Sequence, residues 1–298
     1  MFLPRPVIVG LVVGLAPFAA AAQPAKAPPD RLAGPPVVSA KAWAVADATG
    51  KVLWGANEAE PRPIASTTKI MTAWLVLRRA AADPKVLDEV VTFSERAAKT
   101  PGSSAKLRAG DRLPVRELLY GLLLPSGNDA AVAVAEHFGP RCPADGAGDD
   151  PVKRFVGEMN RQARALQLKE TTYLDPNGLS RNESSPRDLA ALTARAMQDP
   201  RFREYVGTRH HRYEVTQADG TKRPVTWDNT NKLLDIEGYD GVKTGTTTAA
   251  GACLVGSGVR GTDRLIVVIL GSTAGDGRYT VARNLFRWAW RQRGHRDE

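Results

Sequence analysis

Ser66-Thr-Thr-Lys69, Ser126-Gly-Asn128 and Lys243-Thr-Gly245 occur in that order along the chain, and together they hold the parts of a serine acyl-transfer site. A serine hydroxyl is a poor nucleophile until a base removes its proton. Lys69 stands three residues after Ser66, where side chains on a helix share one face and touch. Lysine can act as that base only if its pKa falls, which desolvation and a neighbouring cation both promote. Lys243 is the candidate cation, and with Thr244 it would meet a substrate carboxylate. A bridging Ser126 hydroxyl would pass a proton to a leaving amine. Gly245 lets a strand edge approach a substrate backbone closely.

Taken singly, the first two motifs are weak, because Ser103 to Lys106 repeats Ser-x-x-Lys and Ser180 to Asn182 repeats Ser-x-Asn. An isolated Ser66 or Ser126 reads as a helix cap, and Lys243-Thr-Gly245 as an exposed strand end. Context separates them. Ser103 follows Pro101-Gly102 in a loop pattern, whereas Ser66 opens a periodic helix with Ile70, Ala73, Trp74 and Leu77 on one face. That helix start also offers backbone N–H groups to a developing negative charge.

The elements that must position these residues follow from hydrophobic patterning. Val37 to Asn57 reads as a hairpin around Asp47-Ala-Thr-Gly50. Helical patterns then run through Leu118–Leu123, Ala130–Phe138, Phe155–Leu166 and Ser185–Met197. Strand signals return at Tyr213–Val215 and Val225–Trp227 around an Asp219-Gly220 turn. Ala252–Val255 and Leu265–Leu270 follow, separated by a glycine-rich turn, and an amphipathic helix with Leu285, Trp288 and Ala289 closes the chain. The expected fold is α+β: one antiparallel sheet built from both chain ends, packed with a helical cluster.

A length of 298 residues suffices for a sizeable core, and the net charge of +9 favours anionic partners. The basic residues are scattered, with no aromatic-interleaved block of the kind that binds nucleic acid. Arg5, the apolar run Val7–Ala22 and Ala19-Ala-Ala-Ala22 read as a signal peptide over residues 1–22. Gly10, Gly14 and Pro17 break that run and argue against a permanent membrane anchor. Residues 23–36 read as a Pro/Ala-rich linker, and residues 37–294 as the catalytic domain. An exported protein could oxidise Cys142 and Cys253. Cys253 lies in a strand pattern, however, and is expected as a small buried side chain and not as half of a disulfide.

Other chemistries fit less well. Gly256-Ser-Gly-Val-Arg-Gly261 matches a dinucleotide pattern, but a strand follows it where a helix is required, so a hairpin turn is expected. There is no Gly-x-Ser-x-Gly elbow, P-loop, metal-ligand spacing or cysteine cluster. His137, His210, His211 and His295 show no ligand spacing and read as surface or packing residues. No cofactor and no metal are implied.

Ser-x-x-Lys, Ser-x-Asn and Lys-Thr-Gly resemble the signature of the penicillin-recognising serine enzymes. The flanks Ile64–Thr72, Leu122–Ala131 and Asp240–Thr246 are similar to those of the low-molecular-mass D-alanyl-D-alanine carboxypeptidases. Phe155–Asn160, Asp175-Pro-Asn-Gly-Leu179 and Asn229–Leu234 agree with them too. The resemblance implies a penicillin-binding peptidase acting on peptidoglycan stem peptides, with β-lactams as inhibitors. Ser66, Lys69 and Ser126 would be catalytic; Asn128, Lys243, Thr244, Gly245 and Thr246 would bind substrate. The backbone N–H groups of Ser66 and Thr246 would form the oxyanion hole. Many relatives carry a C-terminal β domain and an amphipathic anchor; here the sequence stops soon after Trp290, and neither is expected. Arg283, Arg287 and Arg291 recur at helical spacing and read as a solvated face, or as a weak contact for membrane or anionic wall polymer.

Three alternatives stay open. An endopeptidase cutting cross-links shares the same motifs. A class A β-lactamase would have Ser-Asp-Asn and a deacylating Glu-x-x-Leu-Asn, whereas Glu158-Met-Asn160 lacks that spacing. A non-enzymatic wall-binding protein would leave all three motifs idle.

Overall fold

The computed structural model describes residues 1–3, 34–144 and 148–295. The expected signal peptide beyond residue 3, and the linker up to residue 33, lie outside the described residues. In chain order the elements are β1 (Ala42–Asp47), β2 (Val52–Ala56), β3 (Arg62–Pro63), α1 (Lys69–Ala82), β4 (Val90–Thr92), α2 (Glu95–Ala98) and β5 (Arg112–Pro114). Next come α3 (Val115–Leu123), α4 (Asn128–Phe138), α5 (Pro151–Ala165), β6 (Glu183–Ser184), α6 (Pro186–Ala196) and α7 (Pro200–Gly207). The chain finishes with β7 (His210–Thr216), β8 (Lys222–Asp228), β9 (Tyr239–Thr247), β10 (Gly251–Arg260), β11 (Asp263–Ser272) and α8 (Gly277–Gln292).

Both chain ends build the main sheet, in the order β2-β1-β11-β10-β9. Every pairing in it is antiparallel. The run Leu265–Leu270 is apolar at every position because both faces of β11 are covered. Leu265, Val267 and Ile269 face α8, where Leu285, Phe286, Trp288 and Ala289 meet them. Ile266, Val268 and Leu270 face the helical cluster. This period-two division follows from the strand pleat, and each such side chain contributes about 1.5–3 kcal/mol by leaving water.

On the helical side, α1 is buried almost all round, including Ile70, Met71, Trp74, Leu75 and Leu77. It is the central helix of the cluster, which one apolar stripe in the sequence would not require. Three neighbours begin by the same local rule, a capping side chain followed by proline at the first helical position. Asp150 accepts from Val152 N, Ser185 from Asp188 N and Asp199 from Arg201 N.

Two expectations need correction. The β7–β8 hairpin forms as expected but does not join the main sheet; it belongs to a second sheet, β4-β5-β7-β8, on the helical side. Its sequence is too polar for a doubly covered strand, and Val215, Val225 and Trp227 are the side chains it buries. The second correction concerns Gly256–Arg260, which lie within β10, so that only Gly261-Thr262 make the turn. The missing side chains at Gly256 and Gly258 leave room for Phe286 and Trp290 of α8. Cys142 and Cys253 are both buried and unbridged, in keeping with the reading of Cys253 as a small interior side chain.

Candidate active site

Ser66 sits in a 3-10 turn, Ala65–Thr68, that runs directly into α1. The tight turn and first helical residue bring Lys69 back onto Ser66, with Nζ donating to Ser66 Oγ at 3.0 Å. Lys69 Nζ also donates to Asn128 Oδ1 at 2.8 Å and to the Asn177 carbonyl at 2.7 Å. Three acceptors therefore match the three protons of an ammonium. In the neutral amine, the two remaining protons can stay on Asn128 and Asn177, which turns the lone pair toward the Ser66 hydroxyl.

Electrostatics favour that neutral form. Burial pushes Lys69 well below the usual lysine range, the charge of Lys243 pushes the same way, and Asp175 and Asp129 oppose. Lys243, also buried, is lowered to about 7 by desolvation and then by Arg278. Its Nζ donates to the Thr244 carbonyl at 3.0 Å. A cation this poorly solvated gains strongly from an incoming anion.

Strand β9 carries Lys243, Thr244, Gly245 and Thr246 along the edge of the main sheet, paired on one side with β10. One face of the strand, at Gly245, lies against the 3-10 turn. A Cβ at Gly245 would lie 2.7 Å from Ser66 N and 3.1 Å from Thr67 N, so only glycine lets the strand pass Ser66 this closely. The second motif enters on the loop between α3 and α4. Asn128 opens α4 and is held by its own amide, which donates to the Pro101 carbonyl at 2.8 Å. Asp129 ties the start of α4 to the segment between α2 and β5, accepting from Ala105 N and Ser104 Oγ. Ser126 differs from expectation: its Oγ is buried without a hydrogen-bond partner and bridges neither Ser66 nor Lys69.

Sequence reasoning missed several residues that hold this arrangement. Pro176 O accepts from Thr72 Oγ1 at 2.6 Å, so the 175–179 loop is tied to α1 at two carbonyls. Asp175 secures that loop by accepting from Asn177 N at 2.9 Å and Asn182 Nδ2 at 3.1 Å. Asp-Pro-Asn-Gly is a turn signal, but nothing in it says that the turn lies under Lys69. Arg278, in the first turn of α8, donates to Gly245 O at 3.1 Å and to Thr246 Oγ1 at 2.9 Å. It sets a guanidinium charge near Lys243, where it helps lower the lysine, and no motif marks it.

The decoys have structural work instead. Ser103 O accepts from Asn128 N at 2.7 Å, and Lys106 is exposed. Asn182 bonds Thr68 Oγ1 at 2.9 Å and receives Leu174 N at 2.7 Å. Glu158 bonds Gln162 within α5, away from the motifs, and Asn160 brackets the backbone of Tyr173. Each histidine pairs with a carboxylate: His137 with Glu89, His210 with Asp228, His211 with Glu117 and His295 with Asp263. Among the described residues no cluster of His, Cys, Asp and Glu could hold a metal ion.

The sequence profile of the D-alanyl-D-alanine carboxypeptidases, peptidase family S11, matches residues 30–274. The chain belongs to that family. It is 36% identical over 264 residues to the D-alanyl-D-alanine carboxypeptidase of Streptomyces sp. strain K15, covering 86% of this chain and 88% of the relative. The crystal structure of the Streptomyces K15 DD-transpeptidase superposes with a TM-score of 0.79 at 35% identity, covering 86% of this chain and 99% of that one. Escherichia coli strain K12 D-alanyl-D-alanine carboxypeptidase DacD is 37% identical over 266 residues, which are 85% of this chain and 64% of DacD. A D-alanyl-D-alanine endopeptidase of Pseudomonas aeruginosa is 31% identical over 245 residues, 80% of this chain and 73% of that protein. This S11 peptidase therefore has the expected α+β fold, and it is a hydrolase of the D-alanyl-D-alanine carboxypeptidase family.

Proposed function

We propose that the chain is a D-alanyl-D-alanine carboxypeptidase that releases the terminal D-alanine from peptidoglycan stem pentapeptides through an acyl-enzyme on Ser66. The observation that carries this reading is the buried Lys69 amine, 3.0 Å from Ser66 Oγ and held from behind by Asn128 and Asn177. The stem peptide lies along the open edge of β9 as an added strand, with its terminal carboxylate on Lys243 and Thr244. Ser66 Oγ attacks the carbonyl carbon of the penultimate D-alanine while its proton passes to Lys69. The carbonyl oxygen takes up the negative charge between the Ser66 and Thr246 N–H groups. The proton then passes from Lys69 to the nitrogen of the departing D-alanine as the C–N bond breaks, and Ser126 Oγ, unpaired in the free enzyme, relays it by turning toward Lys69 once substrate is bound. Water, deprotonated by Lys69, attacks the ester and frees Ser66. A β-lactam acylates the same oxygen.

The reading extends to place. Residues 1–22 act as an export signal and residues 23–36 as a linker, which puts the catalytic domain outside the cytoplasm, where peptidoglycan is. Among the described residues no helix is long and apolar enough to cross a membrane. Arg283, Arg287 and Arg291 lie along α8, with Arg287 and Arg291 exposed, and favour a weak, salt-sensitive contact with anionic membrane or wall polymer.

Digesting pentapeptide monomers and cross-linked dimers side by side tests the substrate. Free D-alanine from the monomers is the expected result. Dimers cleaved with no D-alanine released from monomers would overturn it in favour of the endopeptidase. The pH dependence is a second test. Activity requires Lys69 neutral and Lys243 charged, so kcat/KM should rise with pH as Lys69 loses its proton. It should fall again as Lys243 does, near 7 in the free enzyme. A bound carboxylate raises the Lys243 pKa, so the alkaline limb of kcat should lie higher than that of kcat/KM. An alkaline limb at the same pH in both profiles would remove Lys243 from carboxylate binding.

A further inference from the structure

Thr230 lies between β8 and β9, outside all three motifs, yet it touches the elements that carry two of them. Its backbone N–H donates to Leu124 O at 3.1 Å, two residues before Ser126. Its carbonyl accepts from Tyr279 Oη at 2.8 Å, next to Arg278 in the first turn of α8. Its Oγ1 lies 2.7 Å from Thr244 Oγ1, in the Lys-Thr-Gly strand. Thr230 is thus fixed at both backbone polar groups, and the remaining polar atom meets the Thr244 hydroxyl, which the proposed mechanism sets on the substrate carboxylate.

A hydroxyl has one proton to give and two lone pairs. A carboxylate can only accept. If Thr244 is to bond the terminal carboxylate, its single proton must go to the substrate, and its contact with Thr230 must then be one in which Thr244 accepts. The reverse polarity would spend the Thr244 proton on Thr230 and present a lone pair to the anion. We propose that Thr230 is a positioning residue that donates to Thr244 Oγ1 and so directs the Thr244 proton at the substrate carboxylate. The backbone ties to Leu124 and Tyr279 hold Thr230 Oγ1 within reach of Thr244 Oγ1, so the donor is in place when the carboxylate arrives and draws the Thr244 proton to itself. This rests on the proposed reading of an anion-terminated substrate, and on Thr244 as one of its contacts.

The experiment compares acylation rates by penicillin, whose carboxylate stands in for the terminal one, and kcat/KM for a pentapeptide. Thr230→Val keeps the shape of the side chain and removes the hydroxyl; Thr230→Ser keeps the hydroxyl. The valine variant should lose about 10-fold in both rates, the worth of one hydrogen bond to a charged system. The serine variant should stay within about 2-fold of the parent, and neither should shift the melting temperature. The deciding measurement is the same change in a Thr244→Val background. If Thr230 acts only through Thr244, adding Thr230→Val there should cost nothing more. A full 10-fold loss in that background, or wild-type rates in Thr230→Val alone, would overturn the proposal. Failure of the parent enzyme to be acylated at all would instead overturn the functional reading beneath it.

Discussion

Ser66→Ala should abolish covalent labelling by a fluorescent penicillin, and Lys69→Met should slow labelling by at least ~10³-fold with Ser66 still in place. The two substitutions separate the two roles. Alanine at 66 removes the only atom that can hold the acyl group, so no slow labelling should survive at any pH. Methionine at 69 is close to lysine in length and apolar, so it can occupy the buried channel beside Asn128 and Asn177 without a charge. What it cannot do is take the proton from Ser66 Oγ, and a neutral serine attacks poorly. A raised pH should rescue Lys69→Met in part, because hydroxide then supplies the missing base, whereas Ser66→Ala should remain silent. Labelling of Ser66→Ala at the parent rate would move the nucleophile elsewhere. Lys69→Met labelled within a few-fold of the parent would leave Lys69 as a structural cation.

That pair of residues was legible from sequence because the information is local. A Ser-x-x-Lys at the start of a helical pattern brings both side chains together whatever the rest of the fold does; Ser66 lies in the 3-10 turn that runs into α1 at Lys69, and the i, i+3 contact forms there all the same. The sheet was legible for a similar reason: Leu265–Leu270 is apolar on both pleat faces, which demands cover on both sides, and the Asp47–Gly50 turn fixes its neighbour. The layout failed where burial and not pattern decides. The β7–β8 hairpin has as good a turn as any in the chain, yet its polar faces exclude it from a doubly covered sheet. The supports of the site were hidden more deeply. Asn177 meets Lys69 through a carbonyl, which every residue has, across 108 positions of sequence. Arg278 and Thr230 act by position alone. Side-chain type announces chemistry, but a backbone acceptor or a charge across a strand is announced only by the fold.

Gly178→Ala is the substitution that should expose this dependence most sharply. Gly178 has φ +90°, and a Cβ there would fall 2.1 Å from Ala65 O, 2.3 Å from Ala65 C and 2.8 Å from Ser66 N. All three are backbone atoms of the turn that presents the nucleophile, so no side-chain rotation relieves the clash. Either the 175–179 loop retreats, taking the Asn177 carbonyl off Lys69, or the Ala65–Ser66 turn is displaced. Left-handed backbone costs alanine about 1–2 kcal/mol, and forced repacking adds about 1–3 kcal/mol. The melting temperature should therefore drop by roughly 5–15 °C, at about 2–4 °C per kcal/mol for a domain of this size. Acylation should fall by ~10²-fold, since a displacement of about 1 Å at reacting atoms has that effect. Gly220 supplies the control. It has φ +87° in the β7–β8 turn with nothing within 4 Å of a built Cβ, so alanine there meets the backbone strain without the collision. Gly220→Ala should lose only the smaller part of the stability and none of the acylation rate. Equal behaviour of the two variants would mean that the loop yields without disturbing Ser66, and that the carbonyl of Asn177 is dispensable to the base it touches.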